Sequence, residues 1–260
     1  MKPLAVITGA SSGIGYAFAH VFSSNGYDVV LIARSEDRLL KLKHELEGQF
    51  RNQAHILQLD LTHSDASLKI EQFCNQLNRP VDVLVNNAGF GSLGAFVESA
   101  WNSQKDMMTL NMLCLTELCH RFSRRMIATG HGRILNVASI AAFQPGPLMA
   151  VYYATKSFVL SFSLAFAEEL KGTGVTCTAL CPGPTESEFG KVSGVDESKL
   201  FRSLRLPSSR AVAEFGYKAC LRGDSIAIHG VRNQLLAGLQ RFVPRQLLLH
   251  VVKDLHQKSP

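Results

Sequence analysis

The chain is read as an α/β protein of the doubly wound kind: one seven-stranded parallel sheet with helices on both faces. Three observations predict this. Seven short runs rich in Val, Ile and Leu recur along the 260 residues. Each is bounded by polar residues or glycine, the pattern of strands buried on both faces. Helical patterns of crossover length separate them, and strands joined by such crossovers lie parallel. Apolar residues make up 46% and charged residues 18%, so one large core is possible and a disordered chain is excluded.

In chain order, strand 4–8 ends in Thr8 and is followed by a helix over 14–25. Strand 28–33 leads into a helix over 36–47, with Ser35 as its cap and the acids Glu36 and Asp37 in its first turn, where they suit the helix dipole. Strands 55–59 and 82–85 flank a helix over 64–77, and a long helix over 101–128 precedes strand 132–138. A helix over 152–172, strand 175–181, a helix over 209–222 and strand 225–229 complete the alternation.

The pattern breaks twice. Residues 184–208 are polar, poorly periodic and contain two glycines, so they read as a lid. Residues 233–256 form a helical tail, with Asn233 capping a first helix and Pro244 starting a second. Its apolar residues Leu247, Leu248, Val251, Val252 and Leu255 share one helical face, read as core or dimer surface rather than a membrane anchor. No repeat divides the chain, so residues 1–260 are taken as one domain.

Lys and Arg outnumber Asp and Glu by 27 to 21, a net +6, with a pI near 9.1. No basic block reaches five residues and no basic stripe is interleaved with aromatics, so nucleic acid is not expected as a partner. Arg121, Arg124 and Arg125 read as a solvated helix face. The six cysteines form no CxxC pair and sit mostly in apolar runs, which points to buried reduced thiols rather than disulfides or zinc. The nine histidines are scattered without acids at ligand spacing, so no metal is expected. No leader segment or apolar run of transmembrane length is read. The expectation is a cytoplasmic protein, with peripheral membrane contact left open.

The stretch between the first strand and its helix, TGASSGIG, sets Thr8, Gly9, Gly13 and Gly15 where the chain passes from strand to helix. Glycines there allow a tight turn, close backbone approach to a ligand and tight packing, and the first-turn N–H groups then face an anion. The spacing T-G-x-x-x-G-x-G is a variant of the usual dinucleotide fingerprint. Further along stand Asp60, NNAG at 86–89, Asn111, Ser139, YYATK at 152–156 and PGPT at 182–185. With these motifs the chain resembles a short-chain dehydrogenase/reductase of the compact single-domain branch, over about residues 4–230. Within that family it resembles oxidoreductases with an AR-x-x-D-R-L segment at the end of the second strand and an R-x-x-P-R tail.

The resemblance implies a Rossmann-type fold, a nicotinamide dinucleotide, and a homodimer or homotetramer built on the helices at 101–128 and 152–172. Gly9, Ser11, Ser12, Gly13, Ile14 and Gly15 would form the pyrophosphate cradle. Arg34, assisted by Arg38 and Ser11, suits a 2′-phosphate, so NADP(H) is the expected cofactor. Glu36 keeps an NAD site open as an alternative. Asp60 would receive the adenine amino group, with Leu61 against the ring. Asn87, Ala88 and Gly89 would meet the middle of the cofactor. Pro182 and Gly183 would turn beside the nicotinamide, with Thr185 bonding its carboxamide.

Moving a hydride to or from a carbon requires moving a proton on its oxygen. Tyr152 and Lys156 are i and i+4 on one helix, so the ammonium can favour the phenolate, and Lys156 can hold the nicotinamide ribose. Tyr153 lies three residues from Lys156 and reads as a pocket wall. Ser139 would bond the substrate oxygen. Asn111 is polar within MMTLNMLCL and must be hydrogen-bonded if buried; the resemblance implies that it distorts its helix and holds a water linking Lys156 to solvent. Phe90, Ala141, Phe143, Leu148 and Phe189 are read as an apolar substrate pocket. The expected substrate is a hydrophobic ketone, aldehyde or secondary alcohol, with reduction by NADPH favoured. An NAD-dependent alcohol dehydrogenase and a non-catalytic NADP(H)-sensing protein are the alternatives. Relative affinity for the two cofactors separates the first, and turnover separates the second.

Overall fold

The computed structural model describes residues 1–199 and 206–257. Seven strands, β1 (Leu4–Thr8), β2 (Asp28–Ala33), β3 (Ala54–Gln58), β4 (Val83–Asn86), β5 (Gly132–Val137), β6 (Val175–Cys181) and β7 (Ile226–Ile228), form one sheet in the order β3-β2-β1-β4-β5-β6-β7. Every pairing is parallel; Val6, for example, is in register with Val30 of β2 and Leu84 of β4. The seven strands fall where the periodicity places them, shifted by one residue at several ends.

All five residues of β1 are buried. Side chains alternate across a strand, and the two faces of β1 feed separate cores. Leu4 and Val6 pack with Leu118, Phe122 and Val159, whereas Ala5 and Ile7 pack with Phe18, Phe22 and Val212. Helices therefore cover both faces. These are α1 (Gly13–Ser24), α2 (Glu36–Phe50), α3 (Ala66–Gln76), α4 (Trp101–Met108), α5 (Leu115–Thr129), α6 (Ala150–Glu169), the short α7 (Phe189–Ser193), α8 (Ser209–Arg222), α9 (Val231–Leu239) and α10 (Arg245–His256). The strand order reverses direction between β1 and β4. At such a switch point the connections leave to opposite faces and open a crevice at the strand C-termini.

Several expectations need correction. The helix read over 101–128 is interrupted by a π-helical segment, Thr109–Cys114, which contains Asn111. Ser35 stands at the N-cap of α2 but makes no side-chain cap bond. Asn233 is not a cap: Gly230 precedes α9, and Asn233 lies inside it with Nδ2 donating to the His229 carbonyl (2.7 Å). α6 is long and apolar enough to span a membrane by length and composition, with a mean hydropathy of 1.2. No such run was expected. Its inner side, including Tyr152, Lys156 and Val159, is buried in the fold, so the core accounts for part of its apolar content. The lid expected over 184–208 contains α7; its residues 200–205 lie outside the described residues. The six cysteines are free and buried.

Candidate active site

The loop after β1 is braced from β4. Thr8 Oγ1 donates to the Val85 carbonyl (3.2 Å) and accepts the N–H groups of Asn87 and Ala88 (both 3.0 Å). Asn87 Nδ2 returns to the carbonyls of Thr8 (2.9 Å) and Gly9 (3.3 Å). The side chain of Asn87 is thus spent on holding the loop. Gly9 takes φ +66°, a left-handed conformation that side chains other than glycine's disfavour. A Cβ on Gly15 would lie 2.1 Å from the Gly9 carbonyl oxygen. These constraints leave Ser11, Ser12, Gly13 and Ile14 lining a cavity of about 830 Å³. Gly15 supports the loop from behind and does not line the cavity.

One end of the cavity is polar. Arg34 and Arg38 line it and are exposed. Arg38 Nη1 is 2.7 Å from Glu188 Oε2, on the lid. The Arg38 guanidinium chiefly, offset by slight burial and helped by Ser12, holds the Glu188 carboxyl below its ordinary range. Glu36 is exposed in the first turn of α2 and does not line the cavity. Asp60 and Leu61 both line it. Asp60 Oδ1 accepts from Thr62 N (2.9 Å) and Thr62 Oγ1 (2.8 Å). Burial pulls the Asp60 carboxyl upward, but these bonds and Arg34 prevail and hold it low. Asn87, Ala88, Gly89, Pro182, Gly183 and Thr185 line the middle. The Thr185 hydroxyl donates to the Gly183 carbonyl (2.8 Å).

The other end holds Tyr152, Lys156 and Ser139. Lys156 Nζ donates to the Val137 carbonyl (2.8 Å) and lies 5.9 Å from the Tyr152 ring centre. Burial pushes the Tyr152 phenol up to about 12, against a smaller opposing bond from Ser139, and pushes Lys156 down to about 8. The expected lowering of the phenol by the ammonium is therefore absent from the protein alone. Both groups lose hydration, and this outweighs their mutual influence. Asn111 does not line the cavity, but its Oδ1 and Lys156 Nζ flank the same side of Gly89, 2.9 and 3.5 Å from where a Cβ there would lie. Its Oδ1 accepts from Phe90 N (3.2 Å), and its Nδ2 donates to Phe90 O (3.0 Å) and Thr155 Oγ1 (3.0 Å). It ties the π-helical segment to the strand-end loop and to α6, next to Tyr152.

Phe90, Ala141 and Phe189 line the substrate end as expected, and Phe189 packs on Tyr152 with ring centres 5.2 Å apart. Phe143 and Leu148 do not line it. Phe143 packs on a sheet core, and Leu148 takes φ +67° with its carbonyl accepting Gly94 N (2.8 Å). The tail supplies what the sequence did not reveal. Leu248, Val251, Val252 and Leu255 of α10 and Leu236 and Leu239 of α9 line the cavity. The tail's apolar face thus covers the pocket, a more specific role than the core or dimer surface expected. His256 is fixed between two partners. Its Nδ1 donates to the Pro147 carbonyl (2.7 Å), which leaves Nε2 to accept the Tyr153 hydroxyl (3.0 Å). Burial holds His256 below its ordinary pKa despite that carbonyl. A lone histidine on an amphipathic helix carries no signal in sequence that would have found it.

A glycine-braced loop at the switch point, lining one cavity with a buried Tyr–Lys pair, is the arrangement of a nicotinamide-dependent oxidoreductase. The chain belongs to the short-chain dehydrogenase family, whose model, described as short chain dehydrogenase, matches residues 3–197. It is 36% identical over 223 residues to a sulfoacetaldehyde reductase of Chromohalobacter salexigens, covering 82% of this chain and 86% of that one. A short-chain dehydrogenase from Sphingobium yanoikuyae, solved in complex with NADPH, is 30% identical, with TM-score 0.83 and coverage of 92% and 94%. A bulky-bulky ketone specific alcohol dehydrogenase from Comamonas testosteroni is 28% identical, with TM-score 0.77 and coverage of 94% and 95%. The chain is accordingly an oxidoreductase of this family, with a fold that binds a nicotinamide cofactor.

Proposed function

We propose that the protein reduces a hydrophobic ketone or aldehyde with NADPH, with Tyr152 as the proton donor. The observation that carries this reading is the placement of Tyr152, Ser139 and Lys156 at the end of a cavity walled by Phe90, Phe189 and the apolar tail. The relatives named for NADPH and for a bulky ketone agree with it.

When bound, the nicotinamide supplies the hydride. Tyr152 gives its phenolic proton to the carbonyl oxygen, and Ser139 donates to the same oxygen as charge develops there. A phenol near 12 is protonated at neutral pH and so can serve as the acid. Lys156 holds the ribose and steadies the phenolate left behind. Asn111 positions α6 and the π-helical segment, and a water held there would resupply the proton. Asp60 and Leu61 take the adenine, Gly89, Pro182 and Gly183 flank the nicotinamide, and Thr185 bonds its carboxamide. Helices α5 and α6 are the proposed subunit contact, where Phe158, Phe162 and Phe166 form a stacked ridge with ring centres 6.0 and 5.5 Å apart.

Two measurements bear on this. Arg34 and Arg38 favour a 2′-phosphate, but in the protein alone Glu188 occupies Arg38. Glu188→Gln is expected to tighten NADPH about two- to fivefold and leave NADH unchanged, the scale of an exposed ion pair. Titrating both cofactors against wild type and variant tests this, and tighter NADH than NADPH binding in the wild type would favour the NAD reading. Lys156 must carry its proton, and burial lowers it to about 8. Reductive turnover is therefore expected to fall as pH rises through that value. A rate profile flat to the phenol's own range would remove Lys156 from the mechanism.

A further inference from the structure

The C-terminal helices also present an outward surface. α9 buries none of its residues. Val231, Leu235 and Leu239 repeat every four residues and so form one stripe. Val231 is 71% exposed and Leu235 61%. Phe242 follows at 78%, and Leu247 and Val251 continue the apolar surface along α10. One exposed leucine is ordinary, but this many on two successive helices make a patch that calls for a partner.

The charges on the two tail helices are mostly of one sign. On the tail, Arg232, Arg245 and Lys253 stand against the single acid Asp254 among the described side chains. Asp254 is already engaged, its Oδ1 2.7 Å from Lys199 Nζ. Arg232, Arg245 and Lys253 are exposed and, among the described residues, enter no salt bridge. A second copy seated here about a two-fold axis would bring like charges together, because the same patch faces itself. An anionic lipid surface takes both features, with apolar side chains entering the acyl boundary and cations meeting the headgroups.

The patch also surrounds the cavity mouth. Leu236, Leu239 and Val251 are exposed and at the same time line the cavity. We propose that this tail face docks on an anionic membrane surface and turns the cavity mouth towards the acyl chains, so that a lipophilic carbonyl compound enters from the bilayer. The route of entry rests on the function proposed above, whereas the docking does not.

The test is co-sedimentation of the full chain with vesicles of phosphatidylcholine alone or mixed with phosphatidylglycerol. Binding is expected to the mixed vesicles and to weaken with salt. The double variant Leu235→Ser/Phe242→Ser is expected to bind at least about tenfold more weakly, as two large apolar side chains leave the interface. Arg232→Gln/Arg245→Gln is expected to lose the preference for the anionic lipid. None of these four side chains lines the cavity, so turnover of a water-soluble carbonyl without vesicles should be unchanged in both variants. The docking is overturned by wild type that ignores both kinds of vesicle, by a double variant that binds as wild type does, or by a dimer in solution that the double variant dissociates. Docking without faster reduction of a vesicle-partitioned carbonyl overturns only the route of entry. Docking with no carbonyl turned over at all overturns the function proposed above and leaves the docking standing.

Discussion

Tyr152→Phe is expected to lower the rate of carbonyl reduction by about 10²–10⁴-fold, the range of a lost general acid, while NADPH still binds. The variant removes one hydroxyl and keeps the ring. The ring does the packing, with centres 5.2 Å from Phe189 and 6.0 Å from Tyr153. Lys156 keeps its bond to the Val137 carbonyl (2.8 Å), which does not involve the phenol. The cradle at Ser11–Ile14 is held from β4 through Thr8 and Asn87 and not by the phenol, so cofactor affinity should hold within a few-fold. Single-turnover rates beside a fluorescence titration of NADPH separate the two effects. A variant that keeps more than about a tenth of the rate has another proton donor. A loss of affinity that matches the loss of rate would make Tyr152 structural. Tyr153→Phe is the natural comparison. Its hydroxyl is committed to His256 at 3.0 Å, so its loss should act on substrate affinity rather than on the proton.

The parts of this site that could be read from sequence are those in which local chemistry determines position. A strand running into glycines and then a helix can do little else than form the loop seen at Gly9–Ile14. Tyr152 and Lys156 share a helix, so their separation follows from helical pitch alone. Asn111 was legible as an anomaly, and the π-helical turn around it is the distortion expected of a polar side chain satisfied inside an apolar stretch. The tail was legible only as two helices with an apolar face. Periodicity says that such a face exists but not what it covers, because that depends on contacts across more than a hundred residues. Asn233 shows the same limit: it resembles a cap, yet a Cβ on Gly183 would lie 2.5 Å from its Nδ2, so α9 packs onto the turn after β6. The raised pKa of the Tyr152 phenol in the protein alone has a related cause. Spacing gives the distance to a lysine but not the burial that both groups share.

Gly15→Ala is expected to weaken NADPH binding on the order of 10²-fold, the ratio that an overpacking cost of about 3 kcal/mol produces if the bound state bears it. The added Cβ would sit 2.1 Å from the Gly9 carbonyl oxygen and 2.5 Å from Asn87 Nδ2. The oxygen is backbone and has no rotamer to escape into. Moving it displaces Gly9, whose φ of +66° already fixes the turn, and Asn87, which holds the Thr8 carbonyl at 2.9 Å. The strain therefore falls on the loop that must face a pyrophosphate. Gly48→Ala is the matched control. Gly48 lies within α2, and a Cβ there meets nothing within 4 Å. Alanine should raise stability by about 0.5–1 kcal/mol, because glycine loses more backbone freedom in a helix, and should leave NADPH affinity unchanged. Thermal unfolding and cofactor titration on the two variants read both signs. Wild-type affinity in Gly15→Ala would mean that the loop opens away from Gly9 at little cost, and the braced cradle would then have to be given up as the reason for the glycine.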